Sequence, residues 1–117
     1  MNFTIRNESN YSYVKIDKER LDSFISPDLK AELVLLSNQG VANIILDLTD
    51  CQYCDSSGLS AILVGNRLCE DIEGIFIICN LSPAVEKMIR MAMLDSILVI
   101  APGINEAEQL IIKKSEL

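Results

Sequence analysis

The sequence predicts a single α/β domain with a mixed β-sheet, an N-terminal hairpin, mostly parallel later strands and about four helices. Three observations predict it. Two short continuous apolar runs, Asn43-Ile-Ile-Leu-Asp-Leu48 and Ile75-Phe-Ile-Ile-Cys79, suit central strands covered on both faces. Apolar stripes at helical spacing lie between and beyond these runs. Ser-Pro and Gly punctuation marks where the helices start and stop. Strands that alternate with helices become parallel neighbours joined by right-handed crossovers. The order along the chain reads β-β-α-β-α-β-α-β-α. No linker, repeat or low-complexity segment interrupts it, so residues 1–117 are expected to form one domain, with 112–117 as a frayed tail.

Each element has its own warrant. Phe3 and Ile5 alternate with polar residues over 2–7, and Glu8-Ser9-Asn10 is a turn. Residues 11–17, Tyr-Ser-Tyr-Val-Lys-Ile-Asp, complete a hairpin whose polar interruptions suit an edge with one wet face. Ser26-Pro27-Asp28 predicts a helix start, with Ser26 as cap, Pro27 in the first turn and Asp28 at the positive helix end. Leu29, Leu33 and Leu36 form its apolar stripe, and Gly40 closes it with a left-handed backbone. After the strand at 43–48, a second helix follows Asp55. Its stripe is Leu59, Ile62, Leu63, Leu68 and Cys69, and it ends near Glu70–Glu73, before Gly74. The strand at 75–79 leads to a second Ser-Pro start at Ser82-Pro83-Ala84, with Val85, Met88 and Ile89 facing inward. Met88, Met91 and Met93 read mostly as core filler. Ile97–Ile100 is the last strand. Asn105-Glu106-Ala107-Glu108 has the pattern of a capping box with Asn105 at the cap, and Leu110 and Ile111 anchor the final helix.

Composition narrows the function. The 117 residues carry 10 Lys plus Arg against 17 Asp plus Glu, a net charge of −7. So acidic a chain is not built for unaided binding to nucleic acid or anionic lipid, where Lys and Arg must neutralise phosphates. There is no His, which excludes a Ser-His-Asp triad, a Cys-His dyad, a His-ligated zinc and a His phosphorelay within the chain. Hydrophobic residues make up 50%, enough for a well-filled core inside a charged shell. For 13.0 kDa, surface scaling leaves roughly 6,300 Å² exposed out of roughly 19,000 Å². No stretch is long and apolar enough to span a bilayer. Met1–Arg6 lacks the plan of a secretory signal, and the four cysteines at 51, 54, 69 and 79 read as small buried hydrophobes. A cytoplasmic protein without membrane insertion is expected.

Two segments hold candidate chemistry. Cys51-Gln-Tyr-Cys54 is a C-x-x-C, and a thiolate at a helix N-terminus would be reactive. Here the helix starts later, after Asp55, and a carboxylate beside the thiol raises its pKa. Zinc would need four ligands that the chain does not group. Two small residues in a strand end and loop are the simpler reading, with a thiol oxidoreductase using Cys51 and Cys54 as the enzymatic alternative. Asp55-Ser56-Ser57-Gly58-Leu59 is the more unusual feature. Composition alone reads it as a helix cap with a tight Gly entry. It matches neither a nucleophile elbow nor a P-loop. A phosphoacceptor remains open, because a hydroxyl at a helix N-terminus is exposed and its phosphate meets free N–H groups. Ser82 reads as a plain cap.

Taken together, Leu21-Asp22 before the first helix, Ile44-Ile-Leu-Asp-Leu48, Asp55-Ser56-Ser57-Gly58-Leu59 and Ile78-Cys79-Asn80-Leu81-Ser82-Pro83-Ala84-Val85 carry a resemblance. The chain resembles the STAS domain of anti-sigma factor antagonists over nearly its whole length. The family's core motif, Asp-Ser-Ser/Thr-Gly-Leu, is matched in full. The resemblance implies a cytoplasmic, non-enzymatic switch. Its unphosphorylated form binds an anti-sigma factor and frees a sigma factor. That anti-sigma factor is a serine kinase, which uses ATP to phosphorylate the first Ser of the motif and so ends binding. A serine phosphatase resets the switch. The acceptor position falls on Ser56. Asp55 precedes it, Asp22 matches a neighbouring-loop Asp, Ser57 and Gly58 shape the helix entry, and Leu59 begins the helix. The implied protein needs no cofactor or metal of its own and is a monomer when free. The alternative within the same fold is a stand-alone interaction or sensor module in another signalling, membrane-lipid or transport pathway, with no sigma factor.

Two departures from the family pattern stand out. Met91-Ala92-Met93-Leu94 replaces a common Met-Ser-Gly-Leu after the third helix. Ser23-Phe24 replaces the usual Asp-Asx after Asp22, and Phe24 reads as a hydrophobic lead-in to the helix start at Ser26.

Overall fold

The computed structural model describes residues 2–116. Strands β1 (Phe3–Asn7) and β2 (Ser12–Ile16) form the hairpin. They are followed by β3 (Arg20–Leu21), α1 (Ser26–Asn38), β4 (Ile44–Asp47), β5 (Tyr53–Cys54) and α2 (Ser56–Asp71). Next come β6 (Phe76–Cys79), α3 (Pro83–Met91), a 3-10 turn (Leu94–Ser96), β7 (Val99–Ala101) and α4 (Ile104–Ser115). The main sheet runs β1-β2-β4-β6-β7, with the hairpin antiparallel and every later neighbour parallel. A second sheet, unforeseen in the sequence, pairs β3 with β5 in parallel, Leu21 opposite Cys54. The accessible surface, 6476 Å², agrees with the size scaling.

Strand periodicity divides the core in two. Ile44, Leu46, Phe76 and Ile78 point into one cluster with Leu29, Leu33 and Leu36 of α1, Ile62 of α2 and Val85 and Ile89 of α3. Ile45, Ile77 and Cys79 point the other way, where Ala107 and Ile111 of α4 cover them. Helices therefore lie on both faces, which is why the central strands read as unbroken apolar runs. Asp47 is the exception in such a run. It is buried at the end of β4, where it accepts hydrogen bonds from Tyr13 Oη, Thr49 Oγ1 (2.5 Å), Thr49 N (3.0 Å) and Asn80 Nδ2 (3.0 Å). Burial pulls its pKa upward, but the hydrogen bonds from Thr49, Tyr13 and Asn80 together outweigh that and hold it below the ordinary carboxylate value.

Several local expectations are corrected. Ser26 does not cap α1: it is the first helical residue, after Ile25. Asn105 does not cap α4, which starts one residue earlier at Ile104 after Gly103 and has no side-chain cap. The last strand is shifted to Val99–Ala101, leaving Ile97 exposed. Met91 and Met93 are not core filler but 73% and 75% exposed, while Met88 is half-buried. The segment expected to fray is helical as far as Ser115, though residues 112–116 are exposed; Leu117 lies outside the described residues. Gly40 does close α1, at φ +84°. Met93, in the position of the family's Gly, takes a left-handed φ of 61° after the end of α3. Such a backbone is unfavourable for a side chain with a Cβ.

Candidate functional site

The site is built where the small sheet meets the start of α2. β3 and β5 are too short to show any periodicity, yet their pairing brings two distant loops together. Glu19 O accepts from Gln52 N (2.7 Å) and Tyr53 N (3.0 Å), and Leu21 O accepts from Asp55 N (3.2 Å). Asp22 and Asp55, each the next residue after a strand, thus leave the sheet side by side. Arg20 stacks its guanidinium on the Tyr53 ring at 4.3 Å and reaches Asp22 Oδ2 at 3.8 Å, adding a cation to the same junction.

Asp55 is the N-cap of α2. Its Oδ1 accepts from Gly58 N at 3.0 Å, three residues on, and from Ser57 Oγ at 2.6 Å. The hydrogen bond from Ser57, then that from Gly58, holds the carboxyl below its ordinary pKa, and the backbone N–H groups of Ser57 and Ser23 face it too. Asp55 is therefore ionised at neutral pH. Ser56 is the first helical residue and is exposed. Its hydroxyl stands at the positive end of a 16-residue helix and beside a fixed negative charge. Gly58 is buried against β3: a Cβ there would lie 2.4 Å from Leu21 O and 2.6 Å from Cys54 Sγ. Only a hydrogen side chain lets α2 start this close to the small sheet. Leu59 does not begin the helix, as expected, but is its fourth residue. Its N–H donates to Asp55 O at 3.0 Å, and its half-buried side chain packs on the core.

The second loop is ordered by Asp22. Its Oδ1 accepts from Phe24 N at 3.0 Å, and its carbonyl accepts from Ile25 N (3.2 Å), Ser26 N (2.9 Å) and Ser26 Oγ (2.6 Å). Ser26 Oγ also approaches Ser57 Oγ at 3.5 Å. Each hydroxyl already spends its proton on a nearer acceptor, so this is a packing contact across the two loops. Phe24 is no lead-in to a buried stripe: it is 87% exposed.

The structure thus brings Asp22, Asp55, Ser56, Ser57 and Gly58 to one place. Sequence reasoning missed Arg20, Tyr53 and Ser26 there, because their roles arise from the two-residue strands. Cys51 and Cys54 are buried and unbridged, and their thiols donate to Tyr53 O (3.2 Å) and Asp55 O (3.5 Å). Burial pushes both thiols up, Cys54 to about 12. A redox thiolate requires the reverse. Among the described residues, no three His, Cys, Asp or Glu converge in a metal-holding arrangement, and no helix is long and apolar enough to cross a membrane.

Fold and site together define a small α/β domain whose polar motif is presented at a helix start against a neighbouring acidic loop. The STAS domain model matches residues 3–107, and the chain belongs to that family. A curated relative, "Putative anti-sigma factor antagonist BtrV" of Bordetella bronchiseptica, is 27% identical over 81 residues, 69% of this chain and 70% of the relative. The crystal structure of "a putative anti-sigma factor antagonist" from Thermotoga maritima superposes with a TM-score of 0.83 at 22% identity, covering 93% of each chain. The anti-sigma factor antagonist SpoIIAA in its unphosphorylated form gives a TM-score of 0.78 at 22% identity over 98% of this chain and 97% of that one. The phosphorylated form of SpoIIAA, a Bacillus cell-fate determinant, gives 0.68 at 24% identity over 85% and 90%. The chain therefore has the STAS fold shared with anti-sigma factor antagonists.

Proposed function

We propose that this protein is a phosphorylation-switched binding module without catalytic activity or a cofactor of its own. The unphosphorylated form binds an anti-sigma factor that is also a serine kinase, and so releases a sigma factor. The kinase uses ATP to phosphorylate Ser56, which ends binding, and a serine phosphatase restores the hydroxyl. The observation that carries this reading is the placement of Ser56: exposed, first in α2, and next to the ionised N-cap Asp55. A related fold, SpoIIAA, has been solved in phosphorylated and unphosphorylated forms, which supports the same chemistry here.

The mechanism is electrostatic and local. A phosphoserine carries about −1.5 to −2 charges at pH 7. On Ser56 it would add to Asp55 and Asp22 on a chain of net charge −7. The positive end of the α2 dipole favours an anion at this exposed first helical residue, so the domain need not refold. A partner surface complementary to a hydroxyl and two carboxylates is then opposed by a third, larger anion.

Incubation with Mg-ATP and a candidate anti-sigma kinase from the same genome should place a single phosphate on Ser56, read by peptide mass spectrometry. Ser56→Ala should take up none. Ser56→Asp should bind the kinase at least about tenfold more weakly than the wild type, a modest loss for a charge introduced at an interface. Phosphate only outside residues 55–58, or equal binding by Ser56→Asp, would overturn the reading.

A further inference from the structure

We infer that the free edge of β1, with the groove between that strand and α1, is a docking site for an extended basic segment of a partner protein, which joins the sheet as a further strand. The site lies apart from Ser56 and is independent of the switch proposed above.

Backbone geometry is the first observation. β1 ends the sheet β1-β2-β4-β6-β7. In an antiparallel pair, alternate residues turn both backbone groups toward the partner strand and the others turn them away. Asp17 N donates to Asn2 O and Glu8 N to Tyr11 O, each at 2.8 Å, in the register that sets Thr4 opposite Lys15 and Arg6 opposite Tyr13. The even-numbered residues of β1 therefore bond to β2. Phe3, Ile5 and Asn7 turn their N–H and C=O groups outward, where no backbone group of the described residues meets them. The opposite edge is guarded: β7 has three residues and is followed by Pro102, which has no N–H. β1 has five residues and neither Pro nor Lys.

A groove runs beside this open edge. Its volume is about 560 Å³ and its lining is Asn2, Phe3, Ile5, Asp28, Ala31 and Glu32. Phe3 and Ile5 are half-buried against the core and give it an apolar floor. Ala31 is exposed, and Leu35, one helical turn further on the same flank, is 51% exposed. A strand added to β1 places every second side chain over that floor.

Charge selects the occupant. Asp28 and Glu32 form the α1 rim, and neither enters an ion pair among the described residues. No Lys or Arg lines the groove. The cations of the hairpin are on the other face of the sheet, where Arg6 stacks on the Tyr13 ring and Lys15 pairs with Asp50. Lys30 lies about 160° around the helix from Glu32, on the flank where Ser26 meets Ser57 of α2. A segment in which Lys or Arg alternates with apolar residues complements this unpaired acidic rim, and its main chain completes the β1 edge. A second copy does not. Two β1 strands paired antiparallel about a twofold axis would oppose Asp28 and Glu32 of one α1 to the same residues of the other, in chains that each carry −7.

The test uses the full chain and a fluorophore-labelled peptide, Lys-Thr-Val-Thr-Ile-Thr-Lys, beside the same peptide with Glu in place of Lys. The Lys peptide should bind with a Kd below about 1 mM. It should slow amide hydrogen exchange at Phe3, Ile5 and Asn7, and methylation of its inner amide nitrogens should abolish binding. Glu32→Lys should unfold at the wild-type temperature and bind the Lys peptide at least about tenfold more weakly. Ser56→Asp should bind it as the wild type does; a loss there would make the groove part of the switch and overturn the inference of a separate site. Equal binding of the two peptides, no saturable binding of the Lys peptide, or binding that leaves exchange at Phe3, Ile5 and Asn7 unchanged would overturn it as well. Protection of those three amides on concentrating the protein alone would make the occupant a second copy, with the same consequence. None of these outcomes bears on phosphorylation of Ser56, which the kinase experiment decides.

Discussion

Ser26-Pro27 and Ser82-Pro83 are the same dipeptide at the starts of two helices, and the chain uses them differently. At α3, Ser82 is the N-cap, in extended backbone at φ −68° and ψ 158°, and its Oγ accepts from Val85 N at 3.2 Å. At α1, Ser26 is already helical and buried, with 1% of its surface exposed. Its hydroxyl donates backwards to Asp22 O and touches Ser57. α1 has no side-chain cap: the upstream turn supplies the Asp22 carbonyl, which receives Ile25 N and Ser26 N, so the ordered chain begins four residues before the Ser-Pro pair. The difference teaches that a capping signature gives a helix start only when nothing upstream competes for the same role. At α3 the preceding Asn80 and Leu81 leave the cap to Ser82. At α1 the junction with Asp55 recruits Asp22, and Ser26 becomes part of the wall between two loops.

Substituting both serines alike exposes the contrast most strongly. Ser82→Asp keeps a good cap and adds a negative charge at a helix N-terminus, so stability should stay within about 0.5 kcal/mol of wild type. Ser26→Asp buries a carboxylate beside Asp22 and Asp55 with no cation to pair it, and should cost more than about 3 kcal/mol. Urea titrations of the two variants measure this, and equal midpoints would remove the distinction. Next in size is Gly58→Ala, whose Cβ must displace Leu21 O or Cys54 Sγ. It should cost about 1–3 kcal/mol and speed amide exchange at Asp55 and Gly58 but not at Val85. Uniform acceleration at both helix starts would show that the small sheet does not act locally. The smallest effects come from deletion. Ser82→Ala should cost about 1 kcal/mol, the usual worth of a cap. Ser26→Ala should cost less, because Asp22 O keeps its bonds from Ile25 N and Ser26 N. Thermal unfolding orders the pair, and a larger loss at Ser26 would reverse the assignment.

Much of the fold was legible because it is encoded over short windows. The runs at 44–48 and 75–79 announce buried strands, and Leu29, Leu33 and Leu36 announce the inner face of α1; all of these are buried except Ile75, which is half-buried. The Asp55 cap was legible for the same reason: its acceptor and its donor, Gly58 N, are three residues apart. Other features failed for identifiable causes. Met91 and Met93 read as core filler, but the helix ends at Met91 and the chain turns left-handed at Met93, which leaves both side chains exposed. Asp47 was absorbed into an apolar run, since its partners Tyr13 and Asn80 come from other strands and loops.

The Asp-Ser-Ser-Gly motif, its place at a helix start and the α/β alternation follow from residues close together in the chain, where hydrogen bonds and side-chain periods span only a few positions. The union of Asp22 with Asp55 does not. It depends on Arg20–Leu21 pairing with Tyr53–Cys54, two residues against two, with no periodicity to announce it. That pairing holds only because Gly58 has no side chain and because Leu21 and Cys54 are buried under α2. The same packing turns Ser26 inward and Phe24 outward. Whether a polar or an aromatic residue next to the motif faces a partner is a question of which surface remains after the core is filled, and that is settled by contacts among residues far apart in sequence.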